Sequence, residues 1–256
     1  MGKTTGIAWT DHTFNPWWGC TKVSPGCAHC YAEAWATRYG HDVWGPSSGR
    51  RVFSESHWAE PRAWDRAAAR DGVRRRVFCG SMCDVFEDHS GLDGQRGKLW
   101  DLIGETPNLD WLLLTKRPEN IAGMCGVLGA SNVWLGTSVE DLTRGLYRVP
   151  LLLRLPATIR FLSLEPLLEP VRLVLHSADP TGWIDWVIVG GESGPGARPM
   201  DQGWARDILR KCRALRVPFF MKQLGGHPDK RDDLREWPED LRVRELPRLP
   251  WGADHD

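Results

Sequence analysis

The sequence predicts an α/β fold in which short buried strands alternate with helices. Three observations carry that expectation. The first is a series of short apolar runs, β-branched or aromatic and bounded by Gly, Pro or charge: Arg76 to Cys79, Trp111 to Thr115, Val133 to Thr137, Ile159 to Leu164, Trp186 to Val189 and Val217 to Met221, with Gly6 to Trp9 as a further candidate that opens the chain. The second is helical periodicity between those runs. The third is spacing: strand starts recur at roughly 22 to 36 residues, the size of a βαβ unit. Alternation of this kind argues for a parallel sheet. Six or seven such units curl into a full or partial barrel, and a doubly wound open sheet shares the same periodicity.

The helical segments follow from their stripes. Leu99, Trp100, Leu102 and Ile103 form one, and Leu142, Leu146, Val149 and Leu153 a second. Trp204, Ile208, Leu209, Cys212 and Leu215 form the cleanest, at i, i+4, i+5, i+8 and i+11. Pro118 suits the first turn of a helix. A helix is also expected from Tyr31 to Tyr39, where Ala32, Ala34 and Ala36 are strong formers. From His227 onward charge and proline dominate, so the chain reads as a barrel domain over 1–226 and a charged extension over 227–256. That extension either trails as a tail or is pinned across the domain by Trp237, Leu241, Leu246 and Trp251.

Composition narrows the function classes. The chain has 256 residues, enough for one sizeable core and short for two independent ones. With 41% apolar and 26% charged residues it is not disordered as a whole. No apolar run approaches the roughly 18 residues that a membrane span needs. Met1 to Thr10 has no apolar stretch, so no secretory signal is read and the cytoplasm is the expected compartment. Lys and Arg total 33 against 33 Asp and Glu, which excludes a broad polyanion-binding surface. Arg74, Arg75 and Arg76 form the one basic run, with Arg50 and Arg51 nearby; beside a strand such a run is most often a solvated edge. Seven cysteines, an odd number in a chain without export signals, point to metal or reactive thiols rather than a disulfide framework.

The strongest local signal is Gly19-Cys20-Thr21-Lys22-Val23-Ser24-Pro25-Gly26-Cys27-Ala28-His29-Cys30-Tyr31, a C-x6-C-x2-C triplet. Gly and Pro let the loop fold three sulfurs inward. The helix that follows turns its N-terminus toward whatever the sulfurs hold, and a helix N-terminus favours negative charge such as a thiolate-ligated cluster. Three thiolates are soft ligands that suit zinc or iron–sulfur chemistry. A closed zinc site needs a fourth ligand, for which His29, Cys79 and Cys83 are candidates. A 4Fe–4S cube on three thiolates keeps one iron open for a small molecule, the arrangement of a catalytic cluster.

The loop resembles the cluster loop of the radical S-adenosylmethionine superfamily. There C-x3-C-x2-C is the usual spacing, so the x6 gap from Cys20 to Cys27 is a departure. A closer resemblance is to a bacterial and phage family of three-cysteine, radical SAM-like proteins of unknown function. It is carried by Ile7-Ala8-Trp9-Thr10-Asp11-His12-Thr13-Phe14-Asn15-Pro16-Trp17-Trp18-Gly19-Cys20, by Val77-Phe78-Cys79-Gly80-Ser81-Met82-Cys83-Asp84, and by Leu113-Leu114-Thr115-Lys116-Arg117-Pro118-Glu119. It continues through Asn132 to Asp141, Phe161 to Leu167, Val189 to Gly194 and Phe220 to Gly226, so that it covers nearly the whole chain up to about Pro238.

The resemblance implies a partial (β/α)6 TIM-like barrel with the cysteine loop after the first strand. It implies a 4Fe–4S cluster on Cys20, Cys27 and Cys30, with S-adenosylmethionine chelated by the open iron. It further implies one-electron cleavage to a 5′-deoxyadenosyl radical that takes hydrogen from a substrate, and an external one-electron donor of flavodoxin or ferredoxin type.

In barrels of this kind chemistry gathers at the C-terminal ends of the strands. Here those ends offer Ser81 with Asp84, Thr115 to Arg117, Ser138 with Glu140, Ser163 with Glu165, Gly190-Gly191-Glu192, and Lys222-Gln223. By the same resemblance Ser81 and Asp84 are expected at the cofactor's amino group and Ser138 and Glu140 at its ribose. His29 is expected against the adenine, with Tyr31 beside it, and Glu165, Gly190 and Gly191 near the adenosine or the substrate. Cys83, Glu192 and Lys222 are the catalytic candidates, Cys83 as a hydrogen donor. The plain alternative for Ser138 and Asp141 is helix capping. Trp17 and Trp18 either shield a cluster, stack on a base or pack in the core. The substrate class expected first is a nucleic acid base or nucleotide, which in a duplex must leave the stack to be reached. The rival function is a non-catalytic zinc module, binding nucleic acid or protein through the same cysteines.

Overall fold

The computed structural model describes residues 5–176 and 182–249. In chain order the strands are β1 (His12–Phe14), β2 (Trp17–Trp18), β3 (Arg51–Val52), β4 (Arg75–Cys79), β5 (Leu109–Thr115), β6 (Val133–Ser138), β7 (Ile159–Leu164), β8 (Trp186–Gly190) and β9 (Phe219–Gln223). The helices are α1 (Tyr31–Arg38), α2 (Glu55–Asp71), α3 (Asp93–Gly104), α4 (Ile121–Met124), α5 (Leu142–Leu153) and α6 (Gln202–Leu215). Seven strands follow the order β1-β4-β5-β6-β7-β8-β9, and β2 pairs with β3 as a separate antiparallel ribbon. The fold class is α/β, of the partial TIM-like barrel type. The chain divides into two compact units. The first comprises Met1–Val23, Ala32–Leu135 and Pro156–Thr158; the second comprises Ser24–Tyr31, Gly136–Leu155 and Ile159–Asp256.

In the first unit β1, β4 and β5 pair in parallel, with His12 opposite Val77 and Val77 opposite Trp111. Phe14, Val77, Trp111 and Leu113 are wholly buried, as apolar runs in a two-sided parallel sheet must be. Phe14 meets Trp58 of α2 edge-on at 5.3 Å and Trp111 at 5.7 Å. The Trp111 indole N–H donates to the Thr106 hydroxyl at 3.0 Å, so its polar edge is satisfied inside the core. The opening strand is not the expected Gly6 to Trp9. The Thr10 hydroxyl donates to the carbonyls of His12 and Arg76 and accepts from the Phe78 amide. Thr10 thus takes ladder positions with its side chain, and Gly6 to Trp9 ends in a turn closed by Thr10 N–H on the Ile7 carbonyl. Trp9 is buried against Phe78 at 4.7 Å.

In the second unit β7, β8 and β9 pair in parallel, with Phe161 opposite Trp186 and Ile188 opposite Phe220. Asp141 caps α5 by accepting the Arg144 amide at 2.8 Å, and Asp201 caps α6 through the Gly203 amide at 2.7 Å. The expected α5 stripe is partly corrected. Leu146 is exposed, and Gly145, Arg148, Val149, Leu152 and Leu153 form the buried face. The extension after His227 lies against β9: Met221 N–H donates to the Val243 carbonyl, Glu245 N–H to the Phe219 carbonyl, and Phe220 bridges Arg244 antiparallel. Trp237 and Leu241 are buried, Leu246 is half-buried, and Trp251 lies outside the described residues.

Candidate metal and cofactor site

Cys20 belongs to the first unit. Gly19, at φ +118°, lets the chain turn off β2; a Cβ there would stand 2.3 Å from the Val43 carbonyl oxygen. Gly19 N–H donates to the Met82 carbonyl at 3.0 Å and Gly19 bridges Cys83, so the first cysteine is fastened to the turn after β4. Arg117 Nη1 lies 3.7 Å from Cys20 Sγ, and its Nη2 donates to the Thr21 carbonyl at 2.7 Å. Arg117 is itself held by Asp84, Nη1 to Oδ2 at 2.9 Å. Burial pushes the Cys20 thiol up to about 12, helped by the charge of Asp84 and opposed by Arg117. A metal-bound cysteine must release that proton.

Asp84 was expected to face the cofactor's amino group. In the structure its carboxylate accepts from the Thr115 hydroxyl (2.7 Å), the Phe86 amide (3.1 Å), the Lys116 amide (3.0 Å) and Arg117. Those four donors occupy its acceptor sites, so Asp84 builds the turn and orients Arg117. Ser81 Oγ accepts from Asn15 Nδ2 at 3.0 Å, while Asn15 Oδ1 accepts the Met82 amide at 2.7 Å. Cys83 is packed against Gly80, where a Cβ would stand 2.5 Å from its sulfur. Burial drives its thiol pKa upward, with Cys79, Cys20 and Asp84 adding to the shift.

Cys27 and Cys30 belong to the second unit, on the segment Ser24–Tyr31. Pro25–Cys27 forms a single 3-10 turn, closed by the Cys27 and Ala28 amides on the carbonyls of Ser24 and Pro25. Glu140, just past β6, accepts the Ser24 hydroxyl on Oε1 at 2.7 Å and Arg148 Nη1 on Oε2 at 2.9 Å. Arg148 also donates to the Ser138 carbonyl at 2.8 Å. Glu192, just past β8, accepts from the Arg198 amide (2.9 Å), Arg198 Nε (2.8 Å) and Arg198 Nη2 (2.5 Å), and its Oε2 lies 3.0 Å from His29 Nδ1. Arg198 Nη2 reaches the Pro25 carbonyl at 3.0 Å. Burial alone would raise the Glu192 carboxyl, but the Arg198 guanidinium and amide, with His29, hold it at about 2. Glu140 and Glu192 were expected to touch ribose and substrate; in the structure each grips the cysteine segment.

Glu165 and Lys222 form an ion pair from the ends of β7 and β9, each side chain 21% exposed. The Gly190 carbonyl accepts the Leu167 amide at 3.0 Å. At Gly191 a Cβ would stand 2.1 Å from the Leu224 carbonyl oxygen, so this glycine is required by the close passage of the loop after β9. Tyr31 opens α1 and is 54% exposed. Trp17 and Trp18 are buried, so they are packing residues rather than open stacking platforms. Each arginine of the basic run is engaged: Arg74 with the wholly buried Asp110 at 2.7 Å, Arg75 with Asp71 at 3.3 Å and Arg76 with Asp11 at 3.3 Å.

Composition of the donor set suits a soft metal centre. Cys20, Cys27 and Cys30 are half-buried and are not joined in disulfides. Among the described residues, no group of three or more His, Cys, Asp or Glu side chains stands at metal-holding geometry. Sequence reasoning placed Arg117 at a strand end but missed Arg148 and Arg198, which belong to no spacing motif; the available signal was a cation six to eight residues after Glu192 and Glu140.

A family model described as "Protein of unknown function (DUF5131)" matches residues 4–246. No functionally curated protein matches the chain. Two solved structures are similar in fold. One is a spore photoproduct lyase double mutant with bound AdoMet and dinucleoside spore photoproduct, at 12% identity and a TM-score of 0.46, covering 84% of this chain. The other is a spore photoproduct lyase cysteine-to-serine mutant, at 11% identity and a TM-score of 0.46, covering 82%. This chain spans 56% and 64% of the lengths of those two.

Proposed function

The chain belongs to that family of unknown function, and we propose that it is a radical S-adenosylmethionine enzyme whose Cys20, Cys27 and Cys30 hold a 4Fe–4S cluster. The observation that carries the proposal is the triplet of cysteines outside any disulfide on a Gly/Pro loop, with the segment bearing two of them fastened to carboxylates at the C-terminal ends of β6 and β8. Strand C-termini are where barrels of this class gather their chemistry. When bound, the cluster and S-adenosylmethionine supply one-electron cleavage of the sulfonium and hydrogen-atom abstraction from a substrate.

The chain's own residues have separable parts in this reading. Arg117, set by Asp84, faces Cys20 with a fixed positive charge and favours its thiolate. Glu140 and Glu192 hold the segment of Cys27 and Cys30. The Glu165–Lys222 pair at the ends of β7 and β9 is the proposed polar contact for substrate. It can orient a substrate oxygen or nitrogen through the ammonium without adding net charge. A nucleobase or nucleotide is the substrate class to test first. The engaged Arg74–Arg76 run does not supply a phosphate-binding surface, so a small nucleotide or an extruded base fits better than a duplex. A flavodoxin- or ferredoxin-type donor is proposed to provide the electron.

Electron paramagnetic resonance on the anaerobically reconstituted, dithionite-reduced chain tests the assignment. The expected result is about four iron and four sulfide per chain and a reduced-cluster signal that shifts on adding S-adenosylmethionine. Single Cys→Ala changes at Cys20, Cys27 and Cys30 should each abolish that signal. Stoichiometric zinc with no sulfide would overturn the proposal and leave a zinc module on the same cysteines.

A further inference from the structure

We infer that Glu140 and Glu192 are positioning residues for the segment that carries Cys27 and Cys30, each acting through an arginine-neutralised carboxylate. The value of this for a cluster rests on the function proposed above; the clamp itself does not. Between them the two carboxylates engage Ser24, the Pro25 carbonyl by way of Arg198, and His29, so the held points lie on both sides of Cys27. Gly26 completes the fit. A Cβ there would stand 2.4 Å from Glu140 Cγ and 2.7 Å from its Oε1, so only glycine lets the loop lie against the carboxylate. The Ser24 hydroxyl also sits 3.6 Å from Cys27 Sγ, linking the clamp to a sulfur.

The charge arrangement argues that holding the loop is the purpose. A bare carboxylate beside thiolates would oppose their ionisation. Each carboxylate here has its own guanidinium, Arg148 for Glu140 and Arg198 for Glu192, and so grips the loop without net negative charge. A buried ion pair such as Glu140–Arg148, with side chains 0% and 4% exposed, is a poor choice for stability alone, since apolar packing does as well. Its second oxygen, engaged by Ser24, gives it a use.

Amide hydrogen exchange on the metal-free full chain reads the clamp directly. The variants are Ser24→Ala and Gly26→Ala on the loop and Glu192→Gln on the strand end. Cys27 and Ala28 amides should exchange about tenfold faster in each, the size expected for one charge-assisted hydrogen bond. The amides of β8 should not change. Reconstituted Ser24→Ala and Gly26→Ala should also lose iron to a chelator faster than the parent chain. Unchanged exchange across 24–31 in both loop variants would overturn the inference, as would equal acceleration in β8, which would mean general loosening. A parent chain that takes up zinc and no iron would sink the proposed function while exchange still decides the clamp.

Discussion

Glu192 should make the chain acid-labile in a defined window, and Glu192→Gln should remove that dependence. The carboxyl is held at about 2 against an ordinary value of 4.5. A folded-state value below the unfolded one means stability that is present above pH 4.5 and lost as pH falls toward 2. The full shift corresponds to about 3 kcal/mol, and about 2 to 3 once screening at Arg198, one-third exposed, is allowed for. At pH 7 the Gln variant should therefore unfold in urea with about 2 to 3 kcal/mol less stability than the parent. Roughly 60% of that gap should have closed by pH 3, because the parent loses what the variant never had. Urea titrations at pH 7, 4.5 and 3, followed by tryptophan fluorescence, measure both quantities. A gap that stays constant between pH 4.5 and 3, or no gap at pH 7, would refute the reasoning that Arg198 and His29 stabilise the ionised carboxylate.

Four further perturbations have defined outcomes. Gly80→Ala places a Cβ 2.5 Å from Cys83 Sγ and should cost about 1 to 3 kcal/mol in thermal unfolding, most of it recovered in the double variant with Cys83→Ala. Asp84→Asn removes the nearer of the two carboxylates at buried Arg117, leaving Glu87 at 3.7 Å, and should cost about 2 to 4 kcal/mol in urea unfolding. Arg74→Ala removes the guanidinium bound to the wholly buried Asp110 and should cost about 2 to 4 kcal/mol. Arg75→Ala breaks a half-exposed pair with Asp71 and should cost under about 1 kcal/mol; an oligonucleotide titration should show the same salt dependence with and without it.

The strands were legible because each is a short apolar run buried on both faces, and six of them appear within a few residues of where the sequence places them. What the pattern could not show has physical causes. α2 is seventeen residues long but buries only Trp58, Pro61 and Ala68, too sparse a stripe for periodicity to register. On α5 the buried face admits Gly145 and Arg148, and Arg148 is there to meet Glu140, so a hydrophobic count selects Leu146 wrongly. The opening strand was misplaced because a threonine side chain stands in for backbone hydrogen bonds. In the candidate site the cysteines and the strand-end carboxylates were legible by type and position. Their partners were not, because a guanidinium reaches its carboxylate through tertiary folding: Asp84 and Arg117 are 33 residues apart in sequence.

The same pairing of a strand-end carboxylate with an arginine recurs within each unit. Asp84 after β4 is paired with Arg117, which holds Cys20 and Thr21. Glu140 after β6 is paired with Arg148 and holds Ser24. Glu192 after β8 is paired with Arg198, and together they hold His29 and Pro25. Within the second unit, two strand-end carboxylates thus each bring a guanidinium-paired grip to the segment from Ser24 to His29; within the first unit, Asp84 and Arg117 do the same for Cys20 and Thr21. Under the proposed function such pairing would fix the ligand-bearing chain, since a metal centre tolerates little drift in its ligands and a loop alone is mobile. The Glu165–Lys222 pair breaks the pattern. Its cation is a lysine, both side chains remain 21% exposed, and the bond it makes is to itself. Under the proposed function, a lysine–glutamate pair at the ends of β7 and β9 that takes no hold on the loop is therefore where contact with substrate is to be sought.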